Sequence, residues 1–368
     1  MNRSRHWRRY LLGSLALGLA ALSCSSGSGS ESKVDSLRIL AVTADYPYAH
    51  PGQEVTLRMT VADGFVDPNN PTAGPRNLQI LWLGGCFDPA GDAYYMCFTQ
   101  FADLFASLGS GTPPPGGLVQ FNVLPGSSSG VPDAVEYHIT MPDDLVSRRP
   151  APATGPQFGT AFVFFAACAG TIAPVDLSTY QGYVEGQGID FPLRCLDAAG
   201  NPLGPDSFVP GYTQIYVFAD GRENANPPID DMTLNDVPMS ENPDDYPVVP
   251  ICALTDAERK ATGCARASLT DCEGYKLDAI IPDVAEIDIG ATDIDGNQLR
   301  EIVWVDYFAD GGDLAGDIMQ VSDARTGYQA DHSLLWYAPA DPGIVSLWAV
   351  VRDHRGGSSL MRRFVRVQ

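Results

Sequence analysis

The acidic stretch DIDGN at residues 293–297 comes closer to a metal site than any other pattern in the chain. Asp293, Asp295 and Asn297 alternate along it, and Ca²⁺ binds through carboxylate and carbonyl oxygens of this kind. The stretch is not an EF-hand, because Gln298 and Trp304 stand where that loop carries its glycine and its bidentate glutamate. Two hypotheses stay open: a calcium site, and an Asp–Gly turn in an acidic surface, which is favoured because such turns are common.

One short motif matches a catalytic pattern. Gly126, Ser128 and Gly130 fit G-x-S-x-G, which marks a nucleophile where it forms a strand-to-helix turn in an α/β fold. Here the motif lies in a Gly/Ser loop between predicted strands, and this context argues against a nucleophile. The histidines at 50, 138, 332 and 354 are isolated and form no HExxH motif. The sequence predicts a protein that is not an enzyme, with a hydrolase on an unfamiliar scaffold as the catalytic alternative.

The N-terminal residues carry the pattern of an export signal. Four arginines precede an apolar run at residues 11–22, which is shorter than the about 20 apolar residues of a membrane span and has the form of a secretory signal. The run ends in ALSC at residues 21–24, which resembles the lipobox of bacterial lipoproteins, with Ala21 where leucine is usual. The alternative is an ordinary cleavable signal with a chance cysteine.

The lipobox resemblance implies an anchored protein. Residues 1–23 would be removed, Cys24 would be acylated, and residues 24–35 would form a flexible tether. Ser25 after the cysteine resembles the choice that sorts lipoproteins to the outer membrane. We therefore expect an exported protein that is lipid-anchored at the outer membrane, facing the periplasm or the cell surface.

The charge balance restricts the partners. The chain has 23 basic and 45 acidic residues, for a formal net charge of −22. Such a surface repels nucleic acid and anionic lipid. The expected partners are the membrane, through the lipid, and an envelope protein or a glycan.

Seven cysteines follow Cys24, at 86, 97, 168, 195, 252, 264 and 272. An exported protein occupies a compartment in which disulfides persist, and the spacing lacks the CxxC pairs of a zinc site. The predicted pairs are Cys86 with Cys97 and Cys168 with Cys195, since each pair flanks one loop. Cys252 is expected to pair with either Cys264 or Cys272, because sequence alone does not determine the connectivity.

The elements that must position these residues are predicted to be short β-strands. Residues 54–63 alternate valine, leucine and methionine with polar side chains, the pattern of a half-buried strand. Gly and Pro separate many such runs, without the strand–helix alternation of a parallel sheet. The predicted fold is all-β, with two β-sandwiches in tandem and short helical insertions. Trp82 and Trp304, each on an apolar strand, are predicted at the centres of the two cores.

Two parts of the chain resemble known modules. A strand, a Pro-Gly turn, an alternating strand and a tryptophan strand make residues 36–90 similar to the start of bacterial immunoglobulin-like domains. Asp-rich and DGG turns around another tryptophan strand make residues 275–368 similar to PKD-like modules. The expected organisation is an immunoglobulin-like sandwich at 36–224, a linker and disulfide-bearing segment at 225–274, and a PKD-like or immunoglobulin-like sandwich at 275–368.

Smaller patterns bear on binding. Aromatic residues at 94–105 and at 180 and 183 mark candidate ligand loops, although the phenylalanine stripe of a predicted helix at 98–108 favours packing. A capping box at 255–258 predicts a short helix at 256–262. The late arginines are expected to pair with the acids of 285–306, with a docking patch as the alternative; they are Arg352, Arg355, Arg362, Arg363 and Arg366.

Because a sandwich hosts many roles, these patterns leave function classes rather than one function. The favoured class is a lipid-anchored cell-envelope protein with a non-catalytic structural or protein-interaction role. The alternative is a module that binds carbohydrate or another envelope ligand, with calcium as a stabilising ion if the DIDGN stretch holds one.

Overall fold

The structure is a computed structural model that describes residues 32–67, 70, 75–98, 101, 117–126, 135–153, 155–175, 191–255, 258–259 and 271–368, with the backbone alone at 288–291. The fold is all-β, as predicted. The strands of the first half are β1 (Leu37–Ala44), β2 (Tyr48–Ala49), β3 (Glu54–Asp63), β4 (Leu78–Phe87), β5 (Val119–Leu124), β6 (Val135–Thr140), β7 (Phe158–Cys168), β8 (Thr171–Pro174), β9 (Leu193–Leu196) and β10 (Phe208–Phe218).

The strands of the second half follow a linker at residues 219–230. They are β11 (Asp231–Leu234), β12 (Val237–Pro238), β13 (Val248–Val249), β14 (Gly274–Ile280), β15 (Ile287–Thr292), β16 (Gln298–Arg300), β17 (Val303–Ala309), β18 (Asp313–Leu314), β19 (Ile318–Asp323), β20 (Gly327–Tyr328), β21 (Leu334–Tyr337), β22 (Gly343–Asp353) and β23 (Ser358–Val367). Short 3₁₀ turns occur at Ala90–Asp92, Tyr94–Cys97 and Pro243–Asp245.

The first sandwich consists of a sheet in the order β1-β3-β6 packed on a sheet in the order β2-β10-β7-β4-β5. The chain changes sheets between β1 and β2, because β1 pairs antiparallel with β3 whereas β2 pairs parallel with β10. The remaining ladders of the two sheets are antiparallel. This is the two-sheet plan of an immunoglobulin-like sandwich.

The core of the first sandwich lies where alternating strand positions meet. In β3, the buried positions are those that the alternating pattern predicts, including Val55, Leu57 and Met59. Trp82 of β4 is fully buried and stacks on Tyr137 with ring centroids 5.4 Å apart. The prediction that Trp82 lies in the core is therefore confirmed.

The second sandwich repeats the plan of the first. Its sheets run in the orders β12-β11-β14-β21-β18 and β13-β23-β22-β17-β19-β20. Again the first strand, β11, pairs antiparallel with a later strand, β14, and a two-residue strand, β13, pairs parallel with the last strand, β23. The hairpin of β15 and β16 forms a separate two-stranded sheet.

The prediction that Trp304 fills the second core is wrong. The buried positions of β17 are Val303, Val305 and Tyr307, which places Trp304 on the opposite face, where it is partly exposed. Trp336 of β21 occupies the core instead, and its indole Nε1–H donates to the carbonyl oxygen of Gly311 at 2.9 Å. The face of β17 with Trp304 also carries Asp306, which marks it as the outer face, because alternate positions of a strand share a face.

Two predicted segments differ in extent from the structure. Strands β11, β12 and β13 fall within the predicted linker at 225–274, yet they pair with strands of the second sandwich. Residues 32–35 of the predicted tether are bonded to the second sandwich, since Val34 N–H donates to Ala309 O at 2.8 Å and Ala309 N–H donates to Ser32 O at 3.0 Å; residues 24–31 lie outside the described residues.

Thr255 and Glu258 form the predicted capping box, with reciprocal hydrogen bonds between each side chain and the other's backbone N–H. Most of the predicted helix at 256–262 lies outside the described residues.

A buried contact, called the seam below, joins the two sandwiches. Leu40 and Ala41 of β1 pack with Trp348 and Val350 on the outer face of β22. Polar contacts cross it as well, since Arg352 Nη2 donates to Leu40 O at 2.7 Å. No helix in the described part of the chain has the length and apolarity of a membrane span.

Candidate binding surface

The sheet that contains β7 is covered on both faces. The sequence of β7, FGTAFVFFAAC, is apolar at nearly every position, and ten of its eleven residues are buried. Ala161, Val163 and Phe165 face the sandwich core, whereas Phe162 and Phe164 belong to a second cluster on the outer face. A strand of this kind needs cover on both sides. The outer cluster is called the outer layer below.

Two disulfide-bonded segments form the outer layer. One follows β4 and is closed by Cys86–Cys97, and the other contains the β8–β9 hairpin and is closed by Cys168–Cys195. The two segments start at opposite ends of the sheet. Cys86 lies near the end of β4 and Cys168 at the end of β7, and these two strands run antiparallel, so that Cys168 lies opposite Gln79 at the start of β4.

The two segments meet over the middle of β7. Phe98 of the first and Phe191 of the second approach edge to face at 5.9 Å, and both contact Phe164. The predicted phenylalanine stripe at 98–108 accordingly packs at its described positions, Phe98 and Phe101, which are both buried.

Both cysteine pairs that the spacing predicted are present. The third disulfide joins Cys252 to Cys272, one of the two alternatives, and Cys264 lies outside the described residues. Disulfides constrain the unfolded chain, and the first two hold the outer layer on the sheet.

A row of tyrosines borders the outer layer along β10. Tyr94, from the segment that follows β4, stacks on Tyr212 with centroids 4.4 Å apart and planes 19° apart. Four residues further along the same face of β10, Tyr216 meets Phe158 at 5.7 Å and Tyr48 at 6.3 Å. Tyr48, Tyr94, Tyr212 and Tyr216 are called the tyrosine strip below.

The tyrosine strip is open to solvent along much of its length. Tyr212 is 44% exposed, and the other three members are partly exposed. On this side of β10, β2 is the neighbour among the described strands, and it pairs only with Tyr216 and Val217. Burial raises the pKa of the Tyr212 hydroxyl further above physiological pH, at which an ordinary phenol is already neutral.

Two arginine–aspartate pairs lie against rings that adjoin the strip. Arg149 donates from Nε to Asp88 at 2.7 Å and from Nη1 to Asp92 at 3.0 Å, and its guanidinium lies 5.2 Å from the ring centre of Phe158. A hydrogen bond from Arg149 is the largest contribution to the lowered pKa of Asp92. Both aspartates have left-handed backbone, with φ of 47° and 53°, a strained conformation that fixed surroundings must hold.

The second pair lies near the start of the linker. Arg222 donates from Nη2 to Asp220 at 2.8 Å and lies 4.7 Å from the ring centre of Phe218. A hydrogen bond from Arg222 lowers the pKa of Asp220. Donors and acceptors in fixed positions thus accompany the aromatic rings.

The candidate calcium stretch has the geometry of a closed turn. Oδ1 of Asp293 accepts the backbone N–H groups of Asp295 and Asn297, each at 2.9 Å, and Oδ2 accepts from the Asn297 side chain at 3.1 Å. These hydrogen bonds lower the pKa of Asp293. Gly296 has φ of 84°, a left-handed value that suits glycine. Within the described residues, no three His, Cys, Asp or Glu side chains are arranged to hold a metal ion.

The same turn occurs twice more. Asp197 Oδ1 accepts the N–H groups of Ala199 and Asn201. Asp353 accepts those of the residues two and four positions later. The shared pattern is Asp-x-x-Gly followed by Asn or Gly, in which the aspartate closes its own loop. The carboxylate of Asp293, one of the three groups that suggested a metal site, therefore binds backbone amides of its own turn.

The residues considered for catalysis do not converge in the described part of the chain. His332 is buried, with Nε2 2.7 Å from the carbonyl oxygen of Ala279, and His50 Nδ1 lies 3.0 Å from that of Phe218. His138 lies on β6 beside Thr56. Ser128 of the G-x-S-x-G motif lies outside the described residues, as do Cys24, Tyr180 and Tyr183.

The late arginines pair mainly within the fold. Arg352 Nε donates to Asp306 at 2.7 Å across β22 and β17, and Arg355 lies 3.5 Å from the buried Glu301. Arg363 pairs with Glu241 at 2.9 Å. Arg352 and Arg355 thus pair with acids of 285–306 as predicted, whereas Arg363 pairs outside that range. Arg362 donates to the Ser346 hydroxyl and Arg366 to the carbonyl oxygen of Pro243.

No protein-family model and no curated protein matches the chain. Among solved structures, the fibronectin(III)-like modules of Clostridium thermocellum CbhA match over 90% of this chain and 92% of theirs, at 11% identity and a TM-score of 0.20. A two-domain fibronectin type III segment of chicken tenascin matches over 90% of this chain and 99% of its own, at 9% identity and a TM-score of 0.18.

Dimeric latent PorU from Porphyromonas gingivalis matches at 12% identity and a TM-score of 0.19. The match covers 91% of this chain and 24% of the PorU chain. At such scores these similarities support no inference about function. The immunoglobulin-like assignment rests on the strand order and pairing of the two sandwiches.

Proposed function

We propose that the mature chain is a lipid-anchored protein of the cell envelope with a non-catalytic structural or interaction role. The observation that supports it most directly is the course of the first described residues. Ser32 and Val34 are buried and bond to Ala309 of the second sandwich, immediately before β1 enters the first. The segment expected to carry the lipid thus enters the protein where the two sandwiches meet.

The distance from the proposed lipid to the seam is short. Ser32 lies eight positions after Cys24, and a fully extended chain of that length spans at most about 29 Å. An acylated Cys24 would keep both sandwiches close to the membrane surface, and the three disulfides fit the oxidising compartment of an exported protein.

The seam supports a role in which the two sandwiches act together. Asn226 of the linker donates from Nδ2 to Ala44 O of the first sandwich at 2.7 Å, and its Oδ1 accepts from Ser358 N–H of the second at 2.9 Å. Asn224 donates to Asp353 at 3.0 Å. A linker bonded in this way positions one sandwich on the other, as a scaffold that presents a surface requires.

Metabolic labelling with a fatty-acid analogue tests the anchor. The wild-type chain should incorporate the label and fractionate with membranes, and Cys24→Ala should lose both properties. Ser26→Ala, a matched change two residues away, should retain them. A wild-type chain without label, or a labelled Cys24→Ala variant, would contradict the anchor.

A further inference from the structure

We propose that the tyrosine strip binds a neutral oligosaccharide chain. This activity goes beyond the anchoring and scaffolding role proposed above and does not depend on the lipid. The evidence is the arrangement of the rings, their spacing along β10 and the charge of their surroundings.

The rings of the strip are held in place before any ligand arrives. Tyr212 is fixed by its stack with Tyr94 and by contacts with Phe162 and Phe164 at 5.8 and 5.9 Å. Tyr94 also contacts Phe164 of the outer layer, which the disulfides hold on the sheet. A rigid aromatic side chain loses little conformational entropy on binding, so that these rings can stabilise a weakly binding ligand.

The spacing of the rings favours an extended ligand. Tyr212 and Tyr216 lie on one face of β10, four residues apart, which corresponds to about 13 Å at the rise of a β-strand. A ligand that contacts both must be a chain of rings, since a single sugar is too short. Tyrosine suits such a ligand because its ring covers the apolar C–H face of a sugar while its hydroxyl reaches the polar rim.

The polar groups near the strip favour a neutral chain over an anionic one. Each arginine there is already paired, Arg149 with Asp88 and Asp92 and Arg222 with Asp220. These fixed pairs offer donors and acceptors for hydroxyl groups without a net positive charge. The chain as a whole carries a formal charge of −22, which repels uronic-acid and sulfated glycans.

A protein partner fits the strip less well. Tyrosine is common at protein interfaces too, but a standard protein interface takes about 20–30 residues a side, whereas the strip is a line of four tyrosines flanked by two arginine–aspartate pairs. The geometry therefore points to the glycan, and a protein partner becomes an outcome of the test.

A glycan array with residues 24–368 carrying Cys24→Ala, a change that removes the proposed acylation site, tests the proposal. The array contains β-glucan, mannan, xylan and chitin oligosaccharides beside polygalacturonate and heparin. Neutral chains should bind and anionic ones should not. Tyr212→Ala and Tyr216→Ala should each weaken binding at least about tenfold, as aromatic hot-spot residues do. Tyr212→Phe should retain it within about threefold.

The matched control is Phe121→Ala, which removes an aromatic ring of 49% exposure from β5 of the same sheet. It should bind like the parent chain, and circular dichroism should show every variant folded. Binding to no neutral glycan, binding that Tyr212→Ala leaves intact, or a photo-crosslinker at position 212 that captures only polypeptide in intact envelopes would each overturn the proposal. None of these results bears on the acylation of Cys24.

Discussion

Replacing Asn226 by alanine should loosen the seam. The substitution removes two hydrogen bonds, one to Ala44 O at 2.7 Å and one from Ser358 N–H at 2.9 Å, which connect the linker to both sandwiches. Each bond contributes about 1 kcal/mol net, and the carbonyl and amide left without partners add about 1 kcal/mol more. The expected loss is therefore about 2–3 kcal/mol of the free energy that joins the two sandwiches.

Asn226→Asp sharpens the test of this hydrogen bond. The aspartate keeps the shape and the acceptor for Ser358, but it places a carboxylate oxygen against the carbonyl oxygen of Ala44. It should destabilise the seam more than alanine does, because two acceptors then face each other. Asn122→Ala is the control, since Asn122 lies on the edge strand β5, far from the linker in the sheet order.

Differential scanning calorimetry is the appropriate assay because it reports whether the sandwiches unfold together. The wild-type chain should give one cooperative transition, as two bodies joined by a buried contact do when their coupling is strong. The Asn226 variants should separate it into two transitions, with the lower one at reduced temperature. If Asn226→Ala gives the same heat-capacity profile as Asn122→Ala and the wild type, the hydrogen bonds of Asn226 do not couple the two sandwiches.

Two further predictions concern the core and the outer layer. Trp82→Ala should lower the free energy of unfolding by about 3–5 kcal/mol, because it leaves a cavity in the first core. Trp304→Ala, on the outer face of β17, should lower it clearly less. Chemical denaturation measures both values, and equal losses would contradict the placement of the two tryptophans. Asp92→Asn should reduce the loss of unfolding free energy that the protein shows as the pH falls into the acid range. The folded-state pKa of Asp92 is lowered, mainly by its hydrogen bond from Arg149, so its contribution is present above about pH 4 and is lost as the pH falls through the folded value. An unchanged loss in the acid range would contradict it.

The strands of the first sandwich could be predicted where one face of the strand is exposed to solvent. Residues 54–63 alternate apolar and polar side chains, and the structure forms β3 over the same residues with the apolar set buried. Local side-chain chemistry was equally readable at Thr255 and Glu258, where the reciprocal hydrogen bonds of a capping box depend on neighbours in sequence.

The failure at Trp304 concerns which face of a strand turns inward. In β17 the face with Val305 and Tyr307 fills the core, whereas the face with Trp304, Asp306 and Phe308 lies outside. Asp306 is the sign of the outer face that the sequence offered, because alternate positions of a strand share a face. Phe308 packs at the seam, a contact that the sequence of the strand does not indicate.

One member of the candidate site could be predicted. Tyr94 lies in the aromatic stretch 94–105 that the sequence marked as a candidate ligand loop. Tyr48, Tyr212 and Tyr216 join it only through the pairing of β2 and β7 with β10 and the fold-back of the segment after β4. The sequence also contained an observation against the metal hypothesis. The pattern Asp-x-x-Gly occurs at residues 197, 293 and 353, and all three form the same turn. A pattern that recurs at hairpin ends is better explained by chain reversal than by a single ion site.

The repeated plan of the two sandwiches gives a reason for the location of the strip. In the second sandwich, the outer face of the sheet that contains β22 is occupied by the seam, through Trp348 and Val350. In the first, the equivalent face, around β7, is covered by the disulfide-bonded outer layer, which leaves the side along β10 open at Tyr212. The same surface of one fold thus joins the sandwiches in one copy and presents ordered aromatic rings in the other. Loss of the seam should accordingly leave the glycan affinity of the first sandwich unchanged, whereas loss of Cys86–Cys97, which supports Tyr94, should reduce it.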